Sequence, residues 1–231
     1  MNIGGFQKLS TVDYPGHLCS TIFLTGCNLR CKFCHNPRLV DIKENNENIT
    51  LEEIIQFLNK RKNVLEGVCI SGGEPTVHKD LENLIVAIKE MGYKVKLDTN
   101  GTNPSLIKKL IDNKFIDYIA VDIKATMDKY EVVAGCRVNT DNIRQTIEII
   151  ISSNIDYEFR TTFLPDLDEN DIKEIAQSLA GSKKYVVQQF RNNTTLSEEY
   201  STRQPYDSQY IMGVVENIKP MFAMCEARGI Q

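Results

Sequence analysis

The chain has 231 residues, 42% of them hydrophobic and 25% charged, with 31 acidic against 27 basic side chains for a net charge of −4. This composition is that of a globular protein rather than a disordered one, and it lacks the basic run of a dedicated nucleic-acid binder. No stretch approaches the length of a membrane span and the first residues do not form an export signal, so the expectation is a cytoplasmic protein, free of membrane and nucleic acid, whose seven cysteines are reduced thiols or metal ligands.

Apolar, β-rich runs alternate with stretches of helical periodicity, the pattern of βα units around a parallel sheet in one domain spanning 1–231. The first predicted strand, 19–24, runs directly into Gly26-Cys27-Asn28-Leu29-Arg30-Cys31-Lys32-Phe33-Cys34-His35-Asn36-Pro37. Loops at this point carry the active sites of α/β proteins. Three thiolates spaced CxxxCxxC suit a soft metal or an iron-sulfur cluster, whereas structural cysteines are usually dispersed. An electron-transfer cluster normally has four cysteines; three leave one iron open, which implies chemistry. The bland alternative is a zinc knuckle of Cys27, Cys31, Cys34 and His35, in which adjacent donors at 34 and 35 are awkward for one tetrahedral ion.

A helix is predicted over 51–61, where Thr50 and Glu53 have the form of a capping box. The second strand, 67–71, leads into Ser71-Gly72-Gly73-Glu74-Pro75, whose paired glycines allow backbone to approach a ligand and whose Glu74 offers a carboxylate to a cation; alone it could be only a turn. His78 is given a surface or capping role. After a helix over 81–91 ended by Gly92, the third strand, 94–97, closes on Asp98-Thr99-Asn100-Gly101. A helix over 104–113 precedes the fourth strand, 118–123, which closes on Asp122-Ile123-Lys124. Both put charged groups at the cysteine end of the sheet. The bland readings are an Asx turn for Asp98 and a solvated surface pair for Asp122 with Lys124.

Following a helix over 142–152, Arg160 ends the fifth strand, 156–162, where its planar fork could bind a carboxylate or a ribose-linked group, or make a structural ion pair. After a helix over 171–180 ended by Gly181, the sixth strand, 185–189, ends at Gln188, Gln189 and Arg191, weaker candidates for the same pocket. The C-terminal part, 191–231, reads as a polar flexible loop over 192–208, able to contact a partner, and a helical extension over 207–228 interrupted by Pro220. Cys19 and Cys69 read as core residues. The pattern alone leaves a partial barrel and an open doubly wound sheet equally available.

The arrangement CxxxCxΦC, with Phe33 as Φ, resembles the radical S-adenosylmethionine (SAM) superfamily signature. The resemblance implies a partial (β/α)6 TIM-like barrel. It also implies a 4Fe-4S cluster on Cys27, Cys31 and Cys34, with SAM chelating the open iron and yielding a 5′-deoxyadenosyl radical. Phe33 and His35 would lie beside the adenine; Gly72, Gly73 and Glu74 resemble the GGE motif that holds the methionine amino group. DTNG paired with DxK resembles the subset that activates glycyl radical enzymes, making Asp98 a ligand for a monovalent cation and placing Asp122 and Lys124 near the cofactor's polar groups. A second cluster is not expected, because only residues 38–50 separate the cysteine motif from the first helix. Residues 5–16, 26–28, 34–37 and 188–191 resemble anaerobic ribonucleoside-triphosphate reductase activating proteins, which implies hydrogen abstraction from a partner's glycine and an electron donor of flavodoxin or ferredoxin type. The alternatives are a small-molecule enzyme similar to 7-carboxy-7-deazaguanine synthase and a non-catalytic iron-sulfur electron carrier; the DTNG and DIK pair disfavours the first, and the missing fourth cysteine with GGE the second.

Overall fold

The computed structural model describes residues 1–41 and 49–230, so part of the short 38–50 segment lies outside the described residues. The chain divides into two compact units, one built from 1–28, 38–99 and 105–119, the other from 29–37, 100–104 and 120–231.

In the first unit the strands follow chain order: β1 (Ile3–Ser10), β2 (Cys19–Leu24), β3 (Gly67–Gly72) and β4 (Lys94–Thr99). β2, β3 and β4 are parallel, with Thr21 opposite Cys69 and Cys69 opposite Lys96. Most of their residues are buried, as in a parallel sheet covered on both faces. β1 was not expected; it runs antiparallel along β2, with Phe6 meeting Phe57 edge-on at 5.4 Å. The connecting helices are α1 (Leu51–Asn59), α2 (Leu81–Glu90) and α3 (Pro104–Asp112), the last almost wholly in this unit. Thr50 and Glu53 form the predicted capping box on α1, and Gly92, at φ 91°, supplies the left-handed residue that ends α2. Cys19 and Cys69 pack with Tyr14 as buried core residues, as expected.

β5 (Tyr118–Asp122) passes from the first unit to the second. The second unit continues with α4 (Tyr130–Ala134), α5 (Thr140–Ile151), β6 (Asp156–Phe163), α6 (Glu169–Ser178), β7 (Lys184–Gln189), α7 (Glu198–Ser201), α8 (Ser208–Ile218) and β8 (Met224–Arg228), with β6, β7 and β8 parallel in that order. All six predicted strands are present.

Two expectations for the C-terminal part are corrected. The helix stops at Ile218, a 3-10 turn carries Pro220, and the chain then pairs with β7 as β8, because proline ends the helical ladder and the backbone groups beyond it find partners in the sheet. The segment 192–208 is tied down rather than loose: Tyr200 is buried and donates to Asp166 at 2.9 Å, and Arg203 pairs with both Asp166 and Glu199. Among the described residues no helix is long and apolar enough to cross a membrane.

Candidate active site

In the first unit, the turn after β3 is stitched to the start of the cysteine loop. Gly73 N–H donates to Leu24 O and Glu74 N–H to Gly26 O, both at 2.8 Å, while Cys27 N–H donates to Val40 O at 2.9 Å. This is why two glycines stand together. A side chain on Gly72, which has φ 125°, would meet Leu24 O at 2.2 Å, and one on Gly73 would meet Gly26 O at 2.2 Å. Glu74 is fully buried, and its Oε1 accepts from Thr76 N–H at 3.0 Å and from the Thr99 hydroxyl at 2.7 Å. Glu74 thus clamps the end of β3 to the end of β4, a role its sequence motif did not disclose. Asp98 accepts from the Ser71 hydroxyl at 3.2 Å and is ion-paired with Lys96, which is 2% exposed. Asn100 makes an Asx turn of its own, its Oδ1 accepting from Thr102 N–H at 3.1 Å. His78 is partly buried and bonds Thr25 O through Nε2 at 2.8 Å, with burial depressing its pKa.

In the second unit, Leu29, Cys31 and Phe33 point inward while Arg30 and Lys32 between them are exposed. The loop is held by its backbone: Arg30 N–H donates to Ala134 O at 2.8 Å, Cys34 N–H to Cys31 O at 3.0 Å, and Lys32 O accepts from Ser197 N–H at 2.9 Å. Lys124 Nζ stands 5.9 Å from the centre of the Phe33 ring, Tyr200 packs near the same ring at 6.4 Å, and the His35 ring lies 6.0 Å from Phe190. Partial desolvation lowers the His35 pKa, opposed by a hydrogen bond with the Thr194 backbone and assisted by the cations Lys124 and Arg191.

Asp122 with Lys124 is not a solvated surface pair. Asp122 accepts from Lys124 Nζ at 3.1 Å and from Arg160 Nε at 2.7 Å, and Arg160, Lys124 and Asp122 are 13%, 17% and 29% exposed. Burial alone would raise the Asp122 pKa, but Arg160 and Lys124 more than offset it and hold the carboxyl well below its usual range. Burial would likewise lower Lys124; Asp122 and then the Cys31 sulfur raise it instead. Arg160 is therefore engaged in the structural ion pair that was one of its two readings, within a network that continues through Glu158 to Arg228. Gln189 donates to Tyr206 O at 3.0 Å and, with His35, Thr162, Gln188 and Arg191, lines a cavity of about 420 Å³.

The three loop cysteines are unbridged thiols. Among the described residues no three His, Cys, Asp or Glu side chains converge on a single-ion sphere. A zinc knuckle needs that convergence, whereas cysteines of a four-iron cluster ligate different irons. The donor set fits such a cluster. Lys96, Thr99 and Tyr200 were missed from sequence; the clue for Lys96 was its place in a strand whose flanking Val95 and Leu97 are also buried.

Gly135 holds the loop from behind. It ends α4 at φ 68°, and an added Cβ would stand 2.2 Å from Arg30 O. Gly135→Ala should cost about 1–3 kcal/mol, from left-handed strain plus the displaced carbonyl. A urea-unfolding midpoint equal to wild type would refute this.

The sequence profile of the Radical SAM superfamily matches residues 21–179. A protein of Methanocaldococcus jannaschii, provisionally named a glycyl-radical enzyme activating enzyme, is 41% identical over 86% of this chain and 83% of its own length. A pyruvate formate-lyase-activating enzyme of Staphylococcus aureus is 34% identical over 128 residues, about half of each chain (51% and 51%). Among solved structures, Streptococcus suis SuiB bound to its precursor peptide SuiA superposes with a TM-score of 0.72 at 17% identity, covering 90% of this chain and 48% of SuiB, a likeness of fold.

Proposed function

The chain belongs to the radical SAM superfamily, and from that premise we propose that it is the activase of a glycyl radical enzyme, with anaerobic ribonucleoside-triphosphate reductase as its partner. The carrying observation is the cysteine loop: three unbridged thiols within eight residues, its backbone fixed from both α4 and the 192–208 segment. Cys27, Cys31 and Cys34 would hold a 4Fe-4S cluster, which would supply the electron that cleaves SAM to methionine and the 5′-deoxyadenosyl radical that removes hydrogen from a glycine Cα. The residues of the chain bind, orient and shield; no side chain need act as a base. Phe33 and His35 would flank the adenine, Gly72, Gly73 and Glu74 the methionine amino group, and Asp98, Asp122, Lys124, Arg160 and Gln189 the remaining polar surface of the cofactor.

Similarity to named activating enzymes supports the activase reading over small-molecule chemistry. The reductase is favoured by the resemblance of 5–16 and 188–191 to its activating proteins, and a flavodoxin or ferredoxin would deliver the electron. The test is an anaerobic assay with dithionite and SAM, scored for 5′-deoxyadenosine and, with candidate enzymes added, for a glycyl radical by electron paramagnetic resonance. A signal on the reductase supports the reading. A signal on pyruvate formate-lyase alone overturns the choice of partner, and no cleavage by cluster-replete protein overturns the activase.

Asp98→Ala should weaken SAM binding about tenfold, the value of one charge-assisted contact, while leaving iron content intact. Wild-type affinity in the variant would remove Asp98 from the site.

A further inference from the structure

A lysine inside a sheet must find a counter-charge, because an uncompensated ammonium in low dielectric is strongly unfavourable. Lys96 lies mid-strand on β4 with 2% of its surface exposed. The strand's two-residue period turns it to the same face as Asp98, and its Nζ is ion-paired with that carboxylate. The same ammonium stands 3.9 Å from Cys69 Sγ and 5.9 Å from the centre of the Tyr118 ring, a sulfur acceptor and an aromatic ring that suit an ammonium. Ser71 donates to the other Asp98 oxygen at 3.2 Å, so hydroxyl and ammonium fix the carboxylate from two sides.

We propose that Lys96 is a positioning residue whose ammonium serves Asp98 as a built-in monovalent cation, so that this protein binds SAM without an alkali-metal ion at Asp98. The inference rests on the reading of Asp98 as part of the cofactor site. A carboxylate enclosed this way needs one positive charge beside it to stay in place. Lys96 supplies it from two residues away, at an effective concentration that millimolar salt does not match. A small ion would compete for the place the ammonium fills.

The test compares SAM affinity of cluster-reconstituted wild type and Lys96→Met in choline chloride with that in potassium or sodium chloride at equal ionic strength. Wild type should change by less than about twofold. Lys96→Met should lose about tenfold in choline and recover most of it with potassium, sodium or methylammonium. A second readout needs neither cluster nor SAM: thermal unfolding of the apo variant, but not of wild type, should shift upward with the alkali ion. Wild-type affinity that rises several-fold with alkali ion overturns the proposal whether or not the variant folds. So does a variant that binds SAM normally in choline, or a loss that no small cation restores. Asp98→Asn separates the two layers. Normal SAM affinity in that variant refutes the placement of Asp98 itself, and the inference with it; reduced affinity beside an alkali-dependent wild type refutes only the role of Lys96.

Discussion

Cys31→Ala is expected to abolish the visible absorption of the reconstituted protein and to reduce SAM cleavage by at least about a hundredfold, since even outer-shell changes at metal sites typically cost about 10–100-fold. The loop leaves little room for a substitute ligand. Cys31 is fixed between two buried side chains, Leu29 and Phe33, and its carbonyl is engaged by Cys34 N–H. With one thiolate gone, two remain in the loop, too few to secure a cluster with an open iron. Cys225→Ala is the control: that thiol lies on β8 with its pKa raised to about 11, chiefly by burial, and its loss should leave absorption and cleavage in place. Full iron content and cleavage in Cys31→Ala would end the cluster assignment.

Asp122→Asn is expected to destabilise the fold by about 3 kcal/mol at neutral pH, the usual cost of removing one partner from a buried charge network. Arg160 and Lys124 both donate to this carboxylate, and neither stays equally well compensated without it. The pH dependence has a definite sign. The folded carboxyl titrates below the unfolded value of about 3.9, so its stabilisation is complete above that value and lost as pH falls beneath it. The gap between wild type and variant should narrow by about 1 kcal/mol between pH 5 and pH 3. Urea unfolding at the two pH values measures it, and a gap that stays constant or widens contradicts the assignment.

The parallel strands and their helices were legible because each carries its own signal: apolar runs buried on both faces, helical periodicity, a capping box at Thr50 and glycines where helices stop. The edge strands were not. β1 mixes two glycines with exposed polar residues, and β8 is five residues long and contains glutamate, alanine and arginine, so their pairing comes from neighbouring backbone rather than side-chain pattern. The cysteine spacing exposed the loop, but the partners of its neighbours were hidden in long-range contacts. Nothing local says that Lys32 is held by Ser197 or that Glu74 receives the Thr99 hydroxyl. A polar residue at a strand end looks the same in sequence whether it meets a ligand or an ion-pair partner, and only the fold shows that Arg160 and Asp122 are committed to each other.

The fastening of the cysteine loop by the 192–208 segment also bears on biosynthesis. Lys32 meets Glu199 across a separation of 167 residues, and Phe33 receives Tyr200 from the same stretch. At about 5–20 residues per second, a ribosome exposes the three thiols on the order of 10–30 s before the residues that cover this wall are made. During that interval the nascent loop is open to oxygen and stray metal, but equally to a protein that delivers a preassembled cluster. Loading before the segment closes and loading afterwards are therefore physically different reactions, the second meeting a loop whose backbone is already fastened.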